Sequence, residues 1–430
     1  MHIEAYNRLK KNLNKPVVWS LGVNFVSLTI GTLVIISIGY YFDMAKQGVY
    51  FTFTSLAMLQ FCAEFGLGQT IIQLTKHYTH TPSDYSKFKQ AIFIWFKLTS
   101  IILTLVLLTI PLLVNFELSE SESYIAEWYF YSFSVVINYF YSKEFYLYQG
   151  ENRMLQYWRF RFLQFTGYSV ILLTLITLDY GITALVIANF VSMMVNLIYL
   201  KINKSSFGIV QEESYKTIYD FWRKELSLLQ FKIGITWLGN NIVNRFITPI
   251  IFATNSAVLA GKYGMSLSLA SICFSVATIM INIKIPTLSQ LAAKGDNLKF
   301  ESLFKRGFLQ GVVAFGIIVI FETLALFILD YLDYFDKERL LEQKSLILLV
   351  CIYLIFTVVS FISNYMRCYR VDNIAFYSLC ANLTLLIFST YILKKFEFQS
   401  FMFFYFAVIF LQLILSYISF HKFRLKLNSD

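Results

Sequence analysis

Trp237, Asn240, Asn241, Asn244 and Thr248 lie at intervals of three, four, seven and eleven counted from the tryptophan, with Arg245 at the edge of the set. On a 3.6-residue helix those positions form one stripe. Ser20, Asn24, Ser27 and Gly31 follow the same spacing in another apolar segment. Amides on one face make a polar wall, and an arginine beside them suits a phosphate through paired hydrogen bonds. Two readings stay open for the amides and serines. They glue neighbouring helices in a membrane, as such residues routinely do, or they line a cavity. Arg245 favours the cavity, because a charge deep in hydrocarbon costs at least ~2.5 kcal/mol and needs water, a partner or an anionic ligand.

Other charges lie in or near apolar segments: Glu64, Lys97, Lys143, Glu144, Arg159, Arg161, Lys232, Lys262 and Glu322. Cations exceed anions. Lys97, Arg159, Arg161 and Lys232 are each within about two helical turns of a polar loop, where long basic side chains can snorkel to the surface. Glu64 lies in Phe61-Cys62-Ala63-Glu64-Phe65-Gly66-Leu67-Gly68, whose glycines allow close helix approach. It is expected to act as a structural counter-ion or a coupling carboxylate. Lys143 and Glu144 are adjacent and can neutralise one another. The aromatic run Tyr129, Phe130, Tyr131, Phe133, Tyr139, Phe140 and Tyr141 reads as interface anchoring and packing, since aromatics make up 18% of the whole chain. The five cysteines show no CxxC spacing, and His77 and His80 lack nearby acidic or cysteine ligands. No metal or cofactor is expected. Phosphate-binding glycine loops, nucleophile elbows and zinc motifs are also missing from the sequence.

The elements that must position these residues are membrane helices. A hydrocarbon core about 30 Å thick needs roughly 20 apolar residues of helix, and twelve stretches fit, near 16–41, 47–73, 91–114, 124–147, 155–178, 181–202, 226–250, 258–281, 307–329, 345–366, 374–393 and 399–420. Hydrophobic residues make up 57% of the chain and charged ones 14%. Such a composition excludes a large soluble domain and implies an all-α polytopic protein. Pro16–Phe42 has no obvious cleavage site and reads as a retained first span.

Lysines and arginines cluster in alternate loops. One side carries Arg8, Lys10, Lys11, Lys15, Lys76, Lys87, Lys89, Arg153, Lys201, Lys204, Lys216, Arg223, Lys224, Lys284, Lys294, Lys299, Lys305, Arg306, Arg367, Arg370, Lys422, Arg424 and Lys426. The other has Lys46, Lys337, Arg339, Lys344, Lys394 and Lys395. The richer side is cytoplasmic by the positive-inside rule, which puts both termini there. The net charge of +10 then reflects topology and anionic lipid headgroups, not nucleic acid.

Sliding the sequence along itself reveals a repeat. A shift of 216 residues superposes Asn24 on Asn240, Lys46 on Lys262, Gly48 on Gly264, Ser55 on Ser271, and Ser86, Phe88 and Lys89 on Ser302, Phe304 and Lys305. Later a shift of 221 aligns Tyr148–Asn152 with Tyr369–Asn373 and Lys201 with Lys422, the extra residues falling in the external loop around Asp330–Lys344. Six spans per repeat is an even number, so both halves enter the membrane in the same direction, as a parallel pseudo-two-fold repeat. The expected organisation is an N-lobe over 1–202, a cytoplasmic linker over 203–224 and a C-lobe over 225–430, with a polar cleft between the lobes.

Three segments carry a resemblance: Glu64-Phe65-Gly66-Leu67-Gly68, Gly261-Lys262-Tyr263-Gly264-Met265-Ser266-Leu267, and Lys284-Ile285-Pro286-Thr287-Leu288-Ser289-Gln290-Leu291-Ala292-Ala293-Lys294-Gly295-Asp296. With the span number and loop lengths, they make the chain resemble the Wzx-type polysaccharide flippases of the multidrug/oligosaccharidyl-lipid/polysaccharide (MOP) exporter superfamily. The resemblance implies a bacterial inner-membrane protein that moves undecaprenyl-diphosphate-linked oligosaccharide across the bilayer for O-antigen or related surface polysaccharide. It also implies alternating access through a cationic interior, a possible coupling ion (H+ or Na+), and membrane lipids and other polysaccharide-assembly proteins as partners. On that reading Arg245, Asn240, Asn241, Asn244 and Asn24, with Lys262 near the external mouth and Lys97, Arg159, Arg161 and Lys232 near the cytoplasmic one, bind the substrate. Glu64 serves as coupling carboxylate or counter-ion.

Two rival classes remain. A cation-coupled multidrug exporter of the MATE kind would prefer an anionic cavity, whereas the charges here are mainly basic. A membrane-embedded polymerase or glycosyltransferase needs a catalytic platform outside the membrane, and the longest external loop, about Asp330–Lys344, is too short for one.

Overall fold

The structure, a computed structural model, describes residues 16–119, 122–203, 213–369, 371 and 374–429. Within those ranges the side chains of 236–245 and of several first-helix positions, Asn24 among them, lie outside the described residues. A backbone in hydrocarbon finds no water to bond, so apolar stretches close their hydrogen bonds as helices. Most expected spans fall on single helices: α1 (Pro16–Tyr41), α5 (Pro82–Leu113), α6 (Ile125–Gly150), α7 (Met154–Thr177) and α8 (Thr183–Ile202). After the linker come α9 (Tyr215–Phe221), a π turn over Trp222–Leu226, and α10 (Ser227–Thr254). The chain continues through α11 (Ala257–Asn282), the short α12 (Ile285–Lys294), α13 (Asn297–Tyr331), α14 (Gln343–Cys368), α15 (Ile374–Lys395) and α16 (Phe398–Ser429). A two-stranded ribbon, Glu117–Ser119 with Glu122–Ser123, closes the loop between α5 and α6.

The second expected span, 47–73, is not one helix. It is divided into α2 (Met44–Ala57), α3 (Leu59–Glu64) and α4 (Leu67–Tyr78). Phe65 (φ 47°) and Gly66 (φ 78°) are left-handed between α3 and α4, a conformation that a right-handed helix cannot contain. Hydropathy sees one apolar run there and has no means of detecting the turn.

Among the described residues, eight helices, α5, α7, α8, α11, α13, α14, α15 and Phe398–Leu425 of α16, are long and apolar enough to cross a membrane on length and composition alone. The described part of α1 adds a shorter apolar segment, Thr29–Tyr41. Tyrosines, amides and charges dilute the apolar runs of α6 and α10. Leu309, Val313, Ile317, Phe321 and Leu324 of α13 are exposed, as a lipid-facing surface requires. The chain is an all-α, multi-pass membrane protein.

Two compact units, Met1–Leu238 and Gly239–Asp430, divide within α10. In the first, α1 packs on α7, α7 on α8, and α6 on α4, α5 and α8. In the second, α11 packs on α13 and α14, and α16 on α14 and α15. The element order recurs: α1 with α10, α2–α3 with α11, α4 with α12, α5 with α13, and α6 to α8 with α14 to α16. A local bond recurs as well. Tyr85 Oη donates to Glu151 Oε1 at 2.5 Å, tying the start of α5 to the end of α6. Tyr365 Oη donates to Glu301 Oε1 at 2.5 Å, tying the end of α14 to the start of α13. Tyrosine and glutamate have exchanged sides.

Polar side chains set the helix starts. Asp43 accepts from Lys46 N at 2.7 Å, Ser256 from Leu259 N at 3.1 Å and Asp296 from Lys299 N at 3.2 Å, capping α2, α11 and α13. Gly295 (φ 71°) ends α12 in the left-handed region just before that last cap.

Candidate functional site

The α3–α4 break carries Glu64 at its edge, and two glycines let α10 approach it. A Cβ on Gly66 would lie 2.5 Å from Gly234 N and 2.9 Å from Gln230 O, and one on Gly234 would lie 2.8 Å from Phe65 Cδ1. Neither position admits a side chain without displacing backbone. Phe65 packs edge-on against Phe231 across the same junction, ring centroids 5.4 Å apart.

Glu64 is only 8% exposed, and both of its oxygens are engaged. Tyr146 Oη donates to Oε2 at 2.6 Å, and the Gly68 backbone N–H donates to Oε1 at 3.1 Å. Gly68 has to lack a side chain, since a Cβ there would collide with Glu64 and come within 2.6 Å of Tyr146 Cζ. Arg161, a second expected site residue, lies on α7, which packs on the Tyr146 helix α6. The Arg161 guanidinium itself donates to Gln164 Oε1 at 3.0 Å.

The other basic positions are spread over separate helices. Arg159 stacks its guanidinium 5.5 Å from the Trp19 ring centre, joining α7 to α1. Lys97 on α5 and Lys232 on α10 are exposed, and Lys262 on α11 is half-buried. The helices run through Asn24, Asn240, Asn241, Asn244 and Arg245, whose side chains lie outside the described residues. Lys143, 2% exposed, donates to Phe140 O at 2.7 Å and sits 3.3 Å from the Phe140 ring centre. Glu322 of α13 accepts from Cys273 Sγ of α11 at 3.3 Å. In the aromatic run of α6, Tyr131 and Tyr139 are buried while Phe130 and Phe133 are exposed.

The second unit contains a cavity of about 430 Å³ walled by α11, α14, α15 and α16. Ser268, Ser271 and Ser275 come from α11, Tyr353, Ser360, Ser363 and Arg367 from α14, Ser378 and Asn382 from α15, and Gln412 from α16. Many of the polar protons on this wall are already committed. Ser268 donates to Gly264 O (2.8 Å), Ser271 to Ser268 O (2.7 Å) and Ser275 to Ser271 O (2.8 Å). Asn382 Nδ2 donates to Ser378 O and Gln412 Nε2 to Ser378 Oγ, both at 2.8 Å. Gln412 is 3% exposed and its Oε1 has no hydrogen-bond partner. Arg367 is the one charged side chain among the described residues lining this cavity. The sequence pattern singled out none of these serines as site residues and placed Arg367 among the loop charges. A signal was present, since 268, 271 and 275 share the spacing of 360, 363 and 367.

No protein-family model matches the chain, and no curated protein matches it by sequence. Solved structures do match its fold. Over 96% of this chain and 98% of the other, it resembles an inward-facing multidrug resistance MATE family transporter of the MOP superfamily (TM-score 0.66, 11% identity). Lipid II flippase MurJ in an inward closed conformation matches over 94% of this chain and 87% of its own (TM-score 0.69, 13% identity). A MOP superfamily transporter from Pyrococcus furiosus with a binding pocket of reverse polarity matches over 97% of each chain (TM-score 0.51, 12% identity). These neighbours are transporters, and the chain has the fold they share.

Proposed function

We propose that this protein is a flippase for an undecaprenyl-diphosphate-linked oligosaccharide, working by alternating access with twelve spans in two like-oriented six-helix lobes. The lobes cover 1–202 and 225–430, joined by the linker 203–224, in a bacterial inner membrane with both termini cytoplasmic. Arg245, Asn240, Asn241, Asn244, Asn24, Lys262, Lys97, Arg159, Arg161 and Lys232 make a basic passage for the diphosphate and sugars. The lipid tail stays in the bilayer. Glu64 is a structural acid within the first unit, with H+ or Na+ as the coupling ion.

The observation that carries this reading is the sign of the charge exposed on helix surfaces. Lys97, Arg161 and Lys232 lie on exposed faces, whereas Glu64 is enclosed by Tyr146 and Gly68 N and Glu322 contacts Cys273. An anionic cargo suits that balance better than a cationic one. A MATE-like exporter of cationic drugs is the alternative that the fold equally allows, and it calls for an accessible carboxylate. Deletion of the gene separates them. Accumulation of a lipid-linked sugar intermediate, relieved by the wild type but not by Arg245→Glu at matched protein level, supports the flippase. Unchanged intermediates with increased sensitivity to cationic drugs support the exporter.

A further inference from the structure

The serine-walled cavity of the second unit has a chemistry that the basic passage does not use. Its hydroxyl protons on α11 are spent on that helix's own carbonyls, so what those serines offer inward is mainly oxygen lone pairs. Gln412 Oε1, deep in the protein and without a partner, adds an acceptor whose burial costs free energy until something donates to it. Phe274, Tyr353 and Phe356 contribute apolar ring surface to the same wall. The lining along α14, from Tyr353 to Arg367, spans about 20 Å at 1.5 Å per residue.

An elongated cavity with many acceptors, aromatic surface and one cation at its exposed end excludes several occupants. A bare metal cation finds no carboxylate there and meets Arg367. A cationic drug meets the same repulsion, and an alkyl chain would bring no donor to the serine lone pairs or to Gln412 Oε1. The volume of about 430 Å³ falls in the roughly 300–1,000 Å³ range of small-molecule sites. What fits is a ligand with several donor hydroxyls, apolar C–H faces and an anionic end.

We infer that this cavity is the sugar subsite of the second unit: Ser268, Ser271, Ser360, Ser363 and Gln412 accept hydrogen bonds from pyranose hydroxyls, while Arg367 holds the anionic group at the mouth. The inference rests on the flippase reading and names the part of the substrate this unit recognises.

The test is equilibrium binding of radiolabelled citronellyl diphosphate, bare or carrying glucose, galactose, N-acetylglucosamine or glucuronic acid, to the full chain in nanodiscs. In the wild type, the best sugar is expected to tighten binding about tenfold over the bare diphosphate, the scale of one or two net hydrogen bonds. Ser271→Leu, which fills the cavity, and Gln412→Met, which removes the buried acceptor, should each erase most of that increment and leave the bare diphosphate affinity in place. Retained bare binding shows that the variants are folded. Arg367→Gln should weaken both kinds of probe. If no sugar adds affinity, or the increment survives both substitutions, the cavity assignment is overturned while the flippase reading stands. If the bare diphosphate lipid does not bind at all, the flippase reading fails and takes the subsite with it.

Discussion

Glu64 shows how a carboxylate can persist when buried: each oxygen accepts a hydrogen bond, one from Tyr146 and one from Gly68 N, in a space that Gly68 keeps open. Tyr146→Phe removes one donor and leaves a buried oxygen unsatisfied, which should cost about 1–3 kcal/mol and lower the thermal unfolding midpoint of the detergent-purified protein. Glu64→Gln retains a carbonyl acceptor and should cost less. If Glu64 is structural, transport by that variant keeps the wild-type pH dependence, and a changed pH profile would assign it a coupling role. Glu64 stood out in the sequence as an acid among glycines. Its partner did not, because Tyr146 lies 82 residues away on α6 in a segment where tyrosine is common. The serine cavity was missed for a related reason: no single serine in a membrane helix is unusual, and four helices must converge before acceptors outnumber donors.

At the scale of elements, span lengths were legible because an uninterrupted apolar run of about 20 residues has little alternative to a helix in lipid. The division of the second span was not, because it depends on two left-handed residues and a close approach by α10. Gly66→Ala should therefore destabilise the protein by about 2 kcal/mol or more. Gly295→Ala, also at positive φ but with nothing within 4 Å of its Cβ position, should cost only about 1 kcal/mol of conformational strain. Comparing the two unfolding midpoints checks this, and equal losses would show that the Gly66–Gly234 contact contributes little. The α13 cap gives a pH prediction. Lys299, through side-chain and backbone hydrogen bonds, holds the Asp296 carboxyl below its ordinary value of 3.8. That stabilisation is present above the unfolded-state value and is lost as pH falls through the lowered folded-state value. Amide exchange at the start of α13 should speed up on that acid side in the wild type, and the step should vanish in Asp296→Asn.

For the whole molecule, the recurring element order is what the proposed parallel repeat calls for: six spans would bring the chain back to its starting side, so that a second copy enters in the same direction. The exchanged Tyr85–Glu151 and Glu301–Tyr365 bonds put one tyrosine–glutamate contact at the corresponding helix ends of each unit. Fold and chemistry carry different information here. The fold is shared with MATE and MurJ transporters, and what bears on cargo is which charges remain accessible within it. The central claim is that an anionic, lipid-linked sugar moves through a basic passage, and transbilayer movement measures it most directly. In sealed proteoliposomes containing a fluorescent, short-chain diphosphate-linked oligosaccharide, the wild type should bring the label on the inner leaflet within reach of an impermeant quencher. Arg245→Glu should not, and Arg245→Ala should be intermediate. Movement no faster than in protein-free vesicles, or an Arg245→Glu variant as fast as the wild type, would contradict the account.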